Sequence, residues 1–372
     1  MSSWNDVRLD EVVELQRGHD LPLKARLEGN IPVIGSNGVV GCHNEPKYSG
    51  PGVTIGRSGV IGGATFTDGP YWPLNTCLFV KDFMGNDPRW VYYWLKSVDF
   101  TAMDSGSAQP SLNRNYIASF PVSLPPAQEQ RAIAEVLGAL DDKIAANNRA
   151  FRIVEYLGVA KFTQLGLDEE SQNAPVPFAD FFEVNPRRTV TSDAPITVNM
   201  QALPTTGPLI NSWSRGKRKG GARFTNGDTL LARITPCLEN RKTAYVDFLN
   251  ADEVGIGSTE FIVLRSKEGL PLGLSYFMAI SSRFRDFAIQ NMVGTSGRQR
   301  VSAQDLERYS LSPIDRSHLQ EFGEWADINL AYLGSLRDEN NALSATRDAL
   351  LPQLMSGKMR VRDAEAVVED VL

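Results

Sequence analysis

The sequence has 372 residues, a net charge of −6 and an apolar fraction of 42%, which suits two or three globular domains with cores of their own. It contains no run of about eighteen apolar residues, which excludes an ordinary membrane-spanning helix. Its three cysteines (Cys42, Cys77 and Cys237) are far apart and odd in number, which argues against a disulfide framework and favours the reducing cytoplasm.

Residues 1–124 alternate short β-type runs with turn residues. The runs IPVIG, GVTIG and TCLFV are rich in β-branched or aromatic residues, and glycine and proline separate them. Pro88–Val98 (PRWVYYWLKSV) has instead the pattern of a short helix. This first portion is predicted to form an α+β globular domain.

Residues 125–167 are predicted to form a helical spacer. Pro125 and Pro126 open it, where a missing N–H does no harm, and no proline occurs from Gln128 to Leu165. About 38 helical residues would span roughly 57 Å, so such a helix needs a partner to bury its apolar stripe. Apolar residues recur at steps of four and three, the spacing of a heptad seam (Ile133, Leu137, Leu140, Ile144, Phe151 and Val154).

Residues 314–362 are predicted to supply that partner as a second, antiparallel helical spacer. The pattern of His318–Met355 has its own seam (Phe322, Ala326, Asn329, Leu333, Leu336, Asn340 and Leu343). Asn147 lies on the first seam, and a buried asparagine fixes the register of a coiled coil because its amide needs a polar partner. The alternative is two ordinary core helices with surface asparagines. The acidic tail, residues 363–372, is expected to be frayed.

The two halves of the sequence resemble each other. Residues 168–313 are therefore predicted to form a second α+β domain like the first, and the offset between matching segments grows steadily, as expected when loops gain residues. Within this second domain Leu274–Ala288 has the pattern of a short helix. Four pairs of segments correspond in the same order: Val7–Leu15 with Val176–Val184, Gly52–Gly62 with Gly227–Cys237, Asn75–Lys81 with Ser258–Arg265, and Gly106–Pro125 with Thr295–Pro313.

The sequence shows no assembled catalytic chemistry. It has no G-x-x-x-x-G-K-[ST] phosphate loop and no G-x-G-x-x-G after a strand. Its three histidines, at positions 19, 43 and 318, have no metal-ligand spacing. Asp141 and Asp142 are adjacent on a predicted helix, where neighbours point about 100° apart, so a solvated face is their simpler interpretation. The chain is predicted to bind rather than to catalyse.

Basic residues concentrate in the second half. Pro186–Tyr245 contains ten basic and three acidic residues, and local charge matters more than net charge for binding phosphates. Each candidate set also has a structural alternative: a turn whose arginine pairs with a local acid, a connector into a helix, or a solvated loop. The candidate DNA-binding residues are Arg57 and Ser58 with Arg233 and Thr235 in matched loops, Gln109, Asn113 and Arg114 with Arg298, Gln299 and Arg300 in matched Gly/Ser/Gln segments, and Arg215, Lys217, Arg218 and Lys219 in a basic loop.

Particular segments resemble one known family. The segments VTIGRSGVIG, LLARITPCLENRK, LPPAQEQRAIAEVLGALDDKI and LLPQLMSGKMRV, and the doubled plan of domain and helix, are similar to the specificity (S) subunit of type I restriction–modification enzymes. The second copy departs from the pattern, because SPIDRSHLQEF lacks the Pro-Pro and Glu-Gln pairs of Pro125–Gln130. Equal partner contacts at both helix starts are therefore not expected.

The resemblance implies two similar target-recognition domains, joined by two long antiparallel coiled-coil helices and related by a pseudo-two-fold repeat. It implies a non-catalytic subunit that reads a bipartite target in double-stranded DNA. Its expected partners are two adenine methyltransferase subunits and, optionally, two ATP-dependent restriction subunits. No cofactor is expected in this chain, whereas S-adenosylmethionine, ATP and Mg are expected in the partners. Residues expected at partner or helix–helix contacts are Gln128, Glu129, Gln130, Asn147 and Asn340.

Two alternatives stay open from the sequence. One is the recognition subunit of a modification-only or other methylation-dependent defence system. The other is a coiled-coil scaffold whose two domains bind proteins. Methylation of adenine at a split DNA motif, in the presence of a partner methyltransferase, distinguishes a DNA-recognition subunit from a scaffold.

Overall fold

The computed structural model describes residues 4–103, 111–169, 175–217, 220–295 and 297–372. The chain divides into two compact units. The first unit combines both ends of the sequence, Met1–Ile144 and Ala342–Leu372, and the second is the continuous middle, Ala145–Asn341. The boundaries fall inside two long helices, so each unit contains a part of both helices.

From the amino terminus to the first long helix, strands outnumber helices in the described part of the chain. Two short 3-10 turns, Leu23–Ala25 and Thr101–Met103, interrupt this stretch. The strands are β1 (Asn5–Arg8), β2 (Glu14–Arg17), β3 (Ile31–Gly35), β4 (Gly38–His43), β5 (Gly52–Gly56), β6 (Gly62–Thr67), β7 (Trp72–Pro73), β8 (Cys77–Asp82) and β9 (Pro121–Leu124). The helices are α1 (Leu9–Val12), α2 (Pro88–Ser97), α3 (Arg114–Ile117) and α4 (Ala127–Leu165).

The rest of the described chain has the same succession of short strands followed by a long helix. A 3-10 turn occupies Phe178–Asp180. The strands are β10 (Val176–Pro177), β11 (Phe182–Val184), β12 (Ile196–Thr197), β13 (Ser214–Arg215), β14 (Arg223–Phe224), β15 (Thr229–Ala232), β16 (Thr243–Tyr245), β17 (Gly255–Ile256), β18 (Phe261–Ser266) and β19 (Ser310–Leu311). The helices are α5 (Leu274–Ile280), α6 (Ser282–Gln290), α7 (Ala303–Leu306), α8 (Arg316–Met355) and α9 (Val361–Glu369).

Both units contain a four-stranded antiparallel sheet of the same topology. Its strand order is β2-β8-β5-β6 in the first unit and β11-β18-β15-β16 in the second. A short antiparallel ribbon recurs as well, β1 with β9 and β10 with β19. The smaller sheets differ, with order β4-β3-β7 in the first unit and β13-β12-β17-β14 in the second. The repeated main sheet is the structural counterpart of the sequence repeat.

In the first unit, helix α2 closes one side of the main sheet. The carboxylate of Asp87 accepts a hydrogen bond of 2.9 Å from the backbone nitrogen of Trp90, and Pro88 occupies the first turn, which together define the start of the helix. The helix buries Trp90, Tyr93 and Trp94 in the core that it shares with β5 and β8. The predicted short helix at Pro88–Val98 is therefore confirmed to within one residue.

The long helices complete the same core. Leu137 and Leu140 of α4 and Leu343 of α8 are fully buried there, and Leu350 is nearly so. Burying one such side chain stabilises a fold by about 1.5–3 kcal/mol. Arg347 of α8 also forms a 2.6 Å ion pair with Asp141 of α4, so the predicted solvated face at Asp141 is instead a helix–helix contact.

In the second unit, the single helix expected over Leu274–Ala288 is two helices, and that expectation was wrong. The chain is extended at Ser281, with φ −60° and ψ 145°, and α6 starts at the next residue. The Ser281 hydroxyl donates a 3.0 Å hydrogen bond to the carbonyl oxygen of Met278. Serine side chains compete in this way with the backbone hydrogen bonds of a helix interior.

Within the second unit, α4 and α8 meet through a polar contact set in an apolar seam. Asn147 is 5% exposed, and its Nδ2 donates to Asn340 Oδ1 at 2.9 Å and to Glu339 Oε2 at 2.8 Å. The rings of Phe162 and Phe322 lie 5.6 Å apart. Since later residues of α4 meet earlier residues of α8, the two helices run antiparallel within this unit.

Two details of the helices differ from the sequence prediction. Asn329 was assigned to the seam, but its Nδ2 donates at 2.8 Å to the carbonyl oxygen of Trp325 in its own helix, and Leu330 is buried instead. The tail was expected to be frayed, yet it forms helix α9, whose Ala364 and Val368 are buried in the first core. These two apolar residues lie four positions apart, on one face of the helix.

Replacing Asn147 with leucine is expected to lower the free energy of unfolding by roughly 1–3 kcal/mol. Asn340 and the Glu339 carboxylate each lose a hydrogen bond from the substituted side chain, and leucine supplies no donor. Urea denaturation of the full chain measures the change. Asn148→Leu is the matched control, because Asn148 is exposed and accepts only a long, exposed hydrogen bond of 3.3 Å from Asn340 Nδ2, and we expect a change of at most about 0.5 kcal/mol. Equal losses in both variants would contradict a specific role for the buried amide.

Candidate nucleic-acid interface

In the first unit, the loop at Arg57 lies beside the segment that begins at Ser111, although the two are more than fifty residues apart in the sequence. The backbone nitrogen of Arg57 donates to the carbonyl oxygen of Thr76 at 3.0 Å, and the carbonyl oxygen of Arg57 accepts from Leu112 at 2.8 Å. Ser58 and Ser111 form a β-bridge. The Arg57 loop and the start of the Ser111–Arg114 segment therefore form one surface.

The second unit repeats this arrangement. The backbone nitrogen of Arg233 donates to the backbone carbonyl oxygen of Glu260 at 3.0 Å. The carbonyl oxygen of Arg233 accepts from the backbone nitrogen of Val301 at 3.0 Å. Ile234 and Arg300 form the equivalent bridge. The backbone connections of Arg57 and Arg233 thus correspond, so both matched loops join their following segments in the same way.

A basic cleft of about 690 Å³ lies next to Arg233 in the second unit. Arg187 and Arg188 follow strand β11, and Arg223 comes from β14. These three arginines belong to the basic window Pro186–Tyr245 but were not predicted to contact DNA, since no motif marks them and only the fold brings them together. The cleft is lined by Asn185, Pro186, Arg187, Arg188, Thr189, Gly221, Ala222, Arg223, Arg233, Thr259, Phe261 and Val263.

The arginines of this cleft differ in how far protein groups already neutralise them. Arg188 is ion-paired with Asp228, whose side chain is fully buried and also binds Arg265 at 2.9 Å. Arg187 is exposed and makes no hydrogen bond or ion pair with the described residues. The Nε of Arg233 is buried without a hydrogen-bond partner in the described structure. Arg187 and Arg233 are therefore the cations best able to bind an added anion here.

Two other predicted readers are paired with local acids, the structural alternative noted for them. Arg215 binds Glu253 at 2.6 Å and Arg300 binds Glu260 at 2.8 Å. The Arg300 guanidinium, hydrogen-bonded to Glu260, lowers the pKa of that carboxyl. Lys217, in contrast, is exposed and makes no such contact with the described residues.

The remaining predicted readers occupy varied positions. Asn113 caps helix α3 by accepting a 3.0 Å hydrogen bond from the backbone nitrogen of Asn115. Arg114 and Arg298 are exposed. Thr235 and Gln299 bind each other, with a 3.2 Å hydrogen bond from the Gln299 backbone nitrogen to Thr235 Oγ1. Gln109, Arg218 and Lys219 lie outside the described residues.

An aromatic contact that was not predicted from the sequence fixes the start of the basic loop that contains Arg215 and Lys217. Trp213 stacks on Phe248, with ring centroids 4.2 Å apart and planes 13° from parallel. Arg337 of α8 lies 5.5 Å from the Trp213 ring centroid and forms a 2.5 Å ion pair with Asp247. The loop that contains Lys217 therefore starts from a fixed base on the long helix.

At the start of α4, the structure corrects one predicted partner contact. Gln130 is 2% exposed. Its Oε1 accepts from the backbone nitrogen of Asp87 at 2.9 Å, and its Nε2 donates to Asn86 Oδ1 at 2.8 Å and to the Pro125 carbonyl oxygen at 3.0 Å. Gln130 ties α4 to the start of α2 and is not available to a partner.

Gln128 and Glu129 are placed differently from Gln130. Gln128 is exposed and Glu129 is half-buried. Both line a groove of about 810 Å³ in the first unit, together with Trp4 and Arg360. Within the described residues no cluster of three or more histidine, cysteine or acidic side chains could hold a metal ion. No described helix is both long enough and apolar enough to cross a lipid bilayer.

Residues 1–152 match the family model of the type I restriction modification DNA specificity domain. The chain is 33% identical over 139 residues to the type I restriction enzyme EcoAI specificity subunit of Escherichia coli, covering 37% of this chain and 22% of the relative. It is 35% identical over 104 residues to the EcoEI specificity subunit of Escherichia coli, covering 27% and 17%. The matches thus span about a fifth of those relatives.

The structural comparison extends further along the chain. The crystal structure of a type I restriction–modification system S subunit from M. genitalium matches with a TM-score of 0.61 over 95% of this chain and 96% of that one, at 15% identity. At this identity the likeness is one of fold. The predicted resemblance to specificity subunits and the α+β class with two long helices are confirmed. The curated relatives named above are specificity subunits.

Replacing Gln130 with alanine is expected to lower the free energy of unfolding by about 2–4 kcal/mol, because buried backbone groups at Asp87 and Pro125 lose their partner. Differential scanning calorimetry of the full chain measures the loss. Gln128→Ala is the control, since Gln128 is exposed, and a shift within about 0.5 kcal/mol is expected. A Gln130→Ala protein as stable as the wild type would contradict the structural role of this amide.

Proposed function

We propose that this chain is a non-catalytic DNA-recognition subunit in which each unit reads one half of a bipartite target in double-stranded DNA. The observation that carries the proposal is the repeated connection of the Arg57 and Arg233 loops. Equivalent sheets present equivalent loops, so two modules of one kind can read two half-sites. The domain match over residues 1–152 supports DNA recognition by the first unit.

The proposed recognition domains are residues 1–124 and 168–313, with helical spacers at 125–167 and 314–362 and the acidic tail at 363–372. In the second domain, Arg187, Arg233 and Lys217 are proposed to contact phosphates, since none of them forms an ion pair or a side-chain hydrogen bond with an acid among the described residues. Arg215 and Arg300 are proposed to shape their loops through Glu253 and Glu260.

We further propose that the long helices dock two adenine methyltransferase subunits and, in complexes that cleave DNA, two ATP-dependent restriction subunits. Exposed apolar side chains on a helix surface indicate protein contact when they cluster. Ile153, Tyr156 and Leu157 on α4 and Ile328 and Tyr332 on α8 are exposed, from 44% for Leu157 to 75% for Tyr156. S-adenosylmethionine, ATP and Mg would belong to the partners, and we expect the complex in the cytoplasm.

Exchanging residues 168–313 for the corresponding domain of another specificity subunit is expected to change one half of the methylated motif and leave the other half unchanged. The physical reason is that each recognition domain has its own sheet and its own arginine loop. Sequencing the methylated adenines in cells that contain the chimera and its methyltransferase measures both halves.

The matched control exchanges residues 1–124 and should change the opposite half. A chimera in which both half-sites change would contradict modular reading. If a chimera shows no methylation at all, we would test whether the purified chimera still binds the methyltransferase subunit. A chimera that is folded and binds the methyltransferase but directs no methylation would also contradict the proposal.

Changing Arg187 and Lys217 together to alanine is expected to weaken DNA binding and to flatten its salt dependence. Each phosphate contact contributes about 0.9 to the slope of log K against log salt, so the slope should fall by about 1.8 for two contacts. Fluorescence anisotropy with duplex DNA at several salt concentrations measures it. Arg149→Ala on α4 is the control, since Arg149 is exposed outside the proposed interface. An unchanged slope in the double variant would remove both residues from the interface.

A further inference from the structure

A second cavity in the second unit has no lining residue in common with the basic cleft. Its volume is about 320 Å³. It lies between the last turns of α4 and the break that separates α5 from α6. Three arginines and two acids face it, and the rest of the wall is apolar or hydroxylic: Val159, Phe162, Thr163, Asp168, Glu169, Arg241, Phe277, Ile280, Ser281, Ser282, Arg283 and Arg285.

Two of these charged groups are already committed within the protein. Asp168 accepts a hydrogen bond from the Tyr309 hydroxyl, and burial raises the pKa of its carboxyl group. Arg283 donates to the carbonyl oxygen of Glu169 at 3.0 Å and lies 5.0 Å from the Tyr309 ring centroid. The other two arginines at the cavity, Arg241 and Arg285, are not part of these contacts.

Arg241 and Arg285 have no acidic side chain bound to them in the described structure. Arg285 Nη2 donates to the carbonyl oxygen of Glu239 at 3.2 Å, while its Nε is buried without a hydrogen-bond partner. The Arg241 side chain makes no hydrogen bond or ion pair with the described residues, and its backbone is in the left-handed region, with φ 60°. Burial and the positive charge of Arg241 lower the pKa of Arg285.

Two guanidinium groups at one cavity with no acidic side chain bound to either are unfavourable, since like charges repel and the partial burial of Arg285 removes part of the water that would screen its charge. An anion between them would reverse both effects. Guanidinium groups bind phosphate oxygens through paired, charge-assisted hydrogen bonds. Ser282 is exposed at the cavity wall and its hydroxyl can donate a further bond.

We propose that Arg241 and Arg285 bind a phosphate group in this cavity, a site separate from the basic cleft. The phosphate belongs either to a DNA backbone or to a free phosphate compound, and the two sources share the same recognition chemistry. The site stands on the cavity and its unpaired arginines, so it does not depend on the proposed bipartite reading of DNA.

Titration calorimetry with inorganic phosphate at constant ionic strength, using the full chain, tests the site. The wild type is expected to bind phosphate in the millimolar range or tighter. Arg241→Met and Arg285→Met should each weaken binding about tenfold or more, since each removes charge-assisted hydrogen bonds. Arg285→Lys keeps the positive charge but lacks the planar guanidinium with its paired N–H donors, so it should have an intermediate effect on phosphate binding. Arg152→Met, an exposed arginine on α4, is the matched control and should bind like the wild type.

Arg241 is exposed, so its variant keeps the test valid even where Arg285→Met fails to fold, and circular dichroism checks both. Phosphate binding that is absent from the wild type, or unchanged in Arg241→Met, overturns the proposal. Duplex DNA separates the two sources. A backbone phosphate predicts that Arg241→Met also weakens DNA binding and lowers the salt slope by about 0.9, whereas a free phosphate compound predicts unchanged DNA affinity together with the loss of phosphate binding.

Discussion

Burial of the apolar seams of α4 and α8 is the constraint on which the rest of the structure depends. Each unit has a sheet that needs a second layer against its apolar face. Helix α2 packs on the sheet of the first unit and α5 on that of the second, and the long helices extend the same cores. Leu137 and Leu343 belong to the core of the first unit, and Phe162 and Leu333 to the core of the second. The spacers are therefore structural parts of both units and not mere connections.

One polar contact interrupts these apolar seams. Asn147 meets Asn340 and Glu339 where the neighbouring core positions are leucines and phenylalanines. A seam built only of leucine tolerates sliding by a heptad, whereas a buried amide has one position at which its donors and acceptors are satisfied. The contact thus selects one alignment of two helices that are each about forty residues long, with 39 residues in α4 and 40 in α8.

Most of the fold could be predicted from local patterns. The heptad spacing after Pro126 predicted α4, and the ordered segment pairs predicted a second α+β domain like the first. The break at Ser281 was missed because a serine hydroxyl and a backbone compete for the same carbonyl group, and tertiary packing decides the outcome. Helix α9 was not predicted because the acidic composition of the tail suggested a solvated segment, whereas two of its residues, Ala364 and Val368, are buried.

The site was less predictable than the fold, because charge in a sequence window says nothing about pairing in space. Arg215 and Arg300 find their acids 38 and 40 residues away along the chain, beyond the reach of any local pattern. Arg187 and Arg233 are also distant in sequence, and only the order of strands β11, β18 and β15 places both at one cleft. Whether two arginines that are distant in the sequence lie close together in space depends on the tertiary fold.

The divided first unit has a consequence for the order in which the protein can fold during synthesis. The second unit is a continuous stretch, Ala145–Asn341, whereas the first needs Ala342–Leu372 to fill its core. Domains usually fold as units in the order of their synthesis. Here the strands that precede α4 must wait for the residues that follow Asn341, because Leu350 and Val368 reach their partners only after the second unit has left the ribosome.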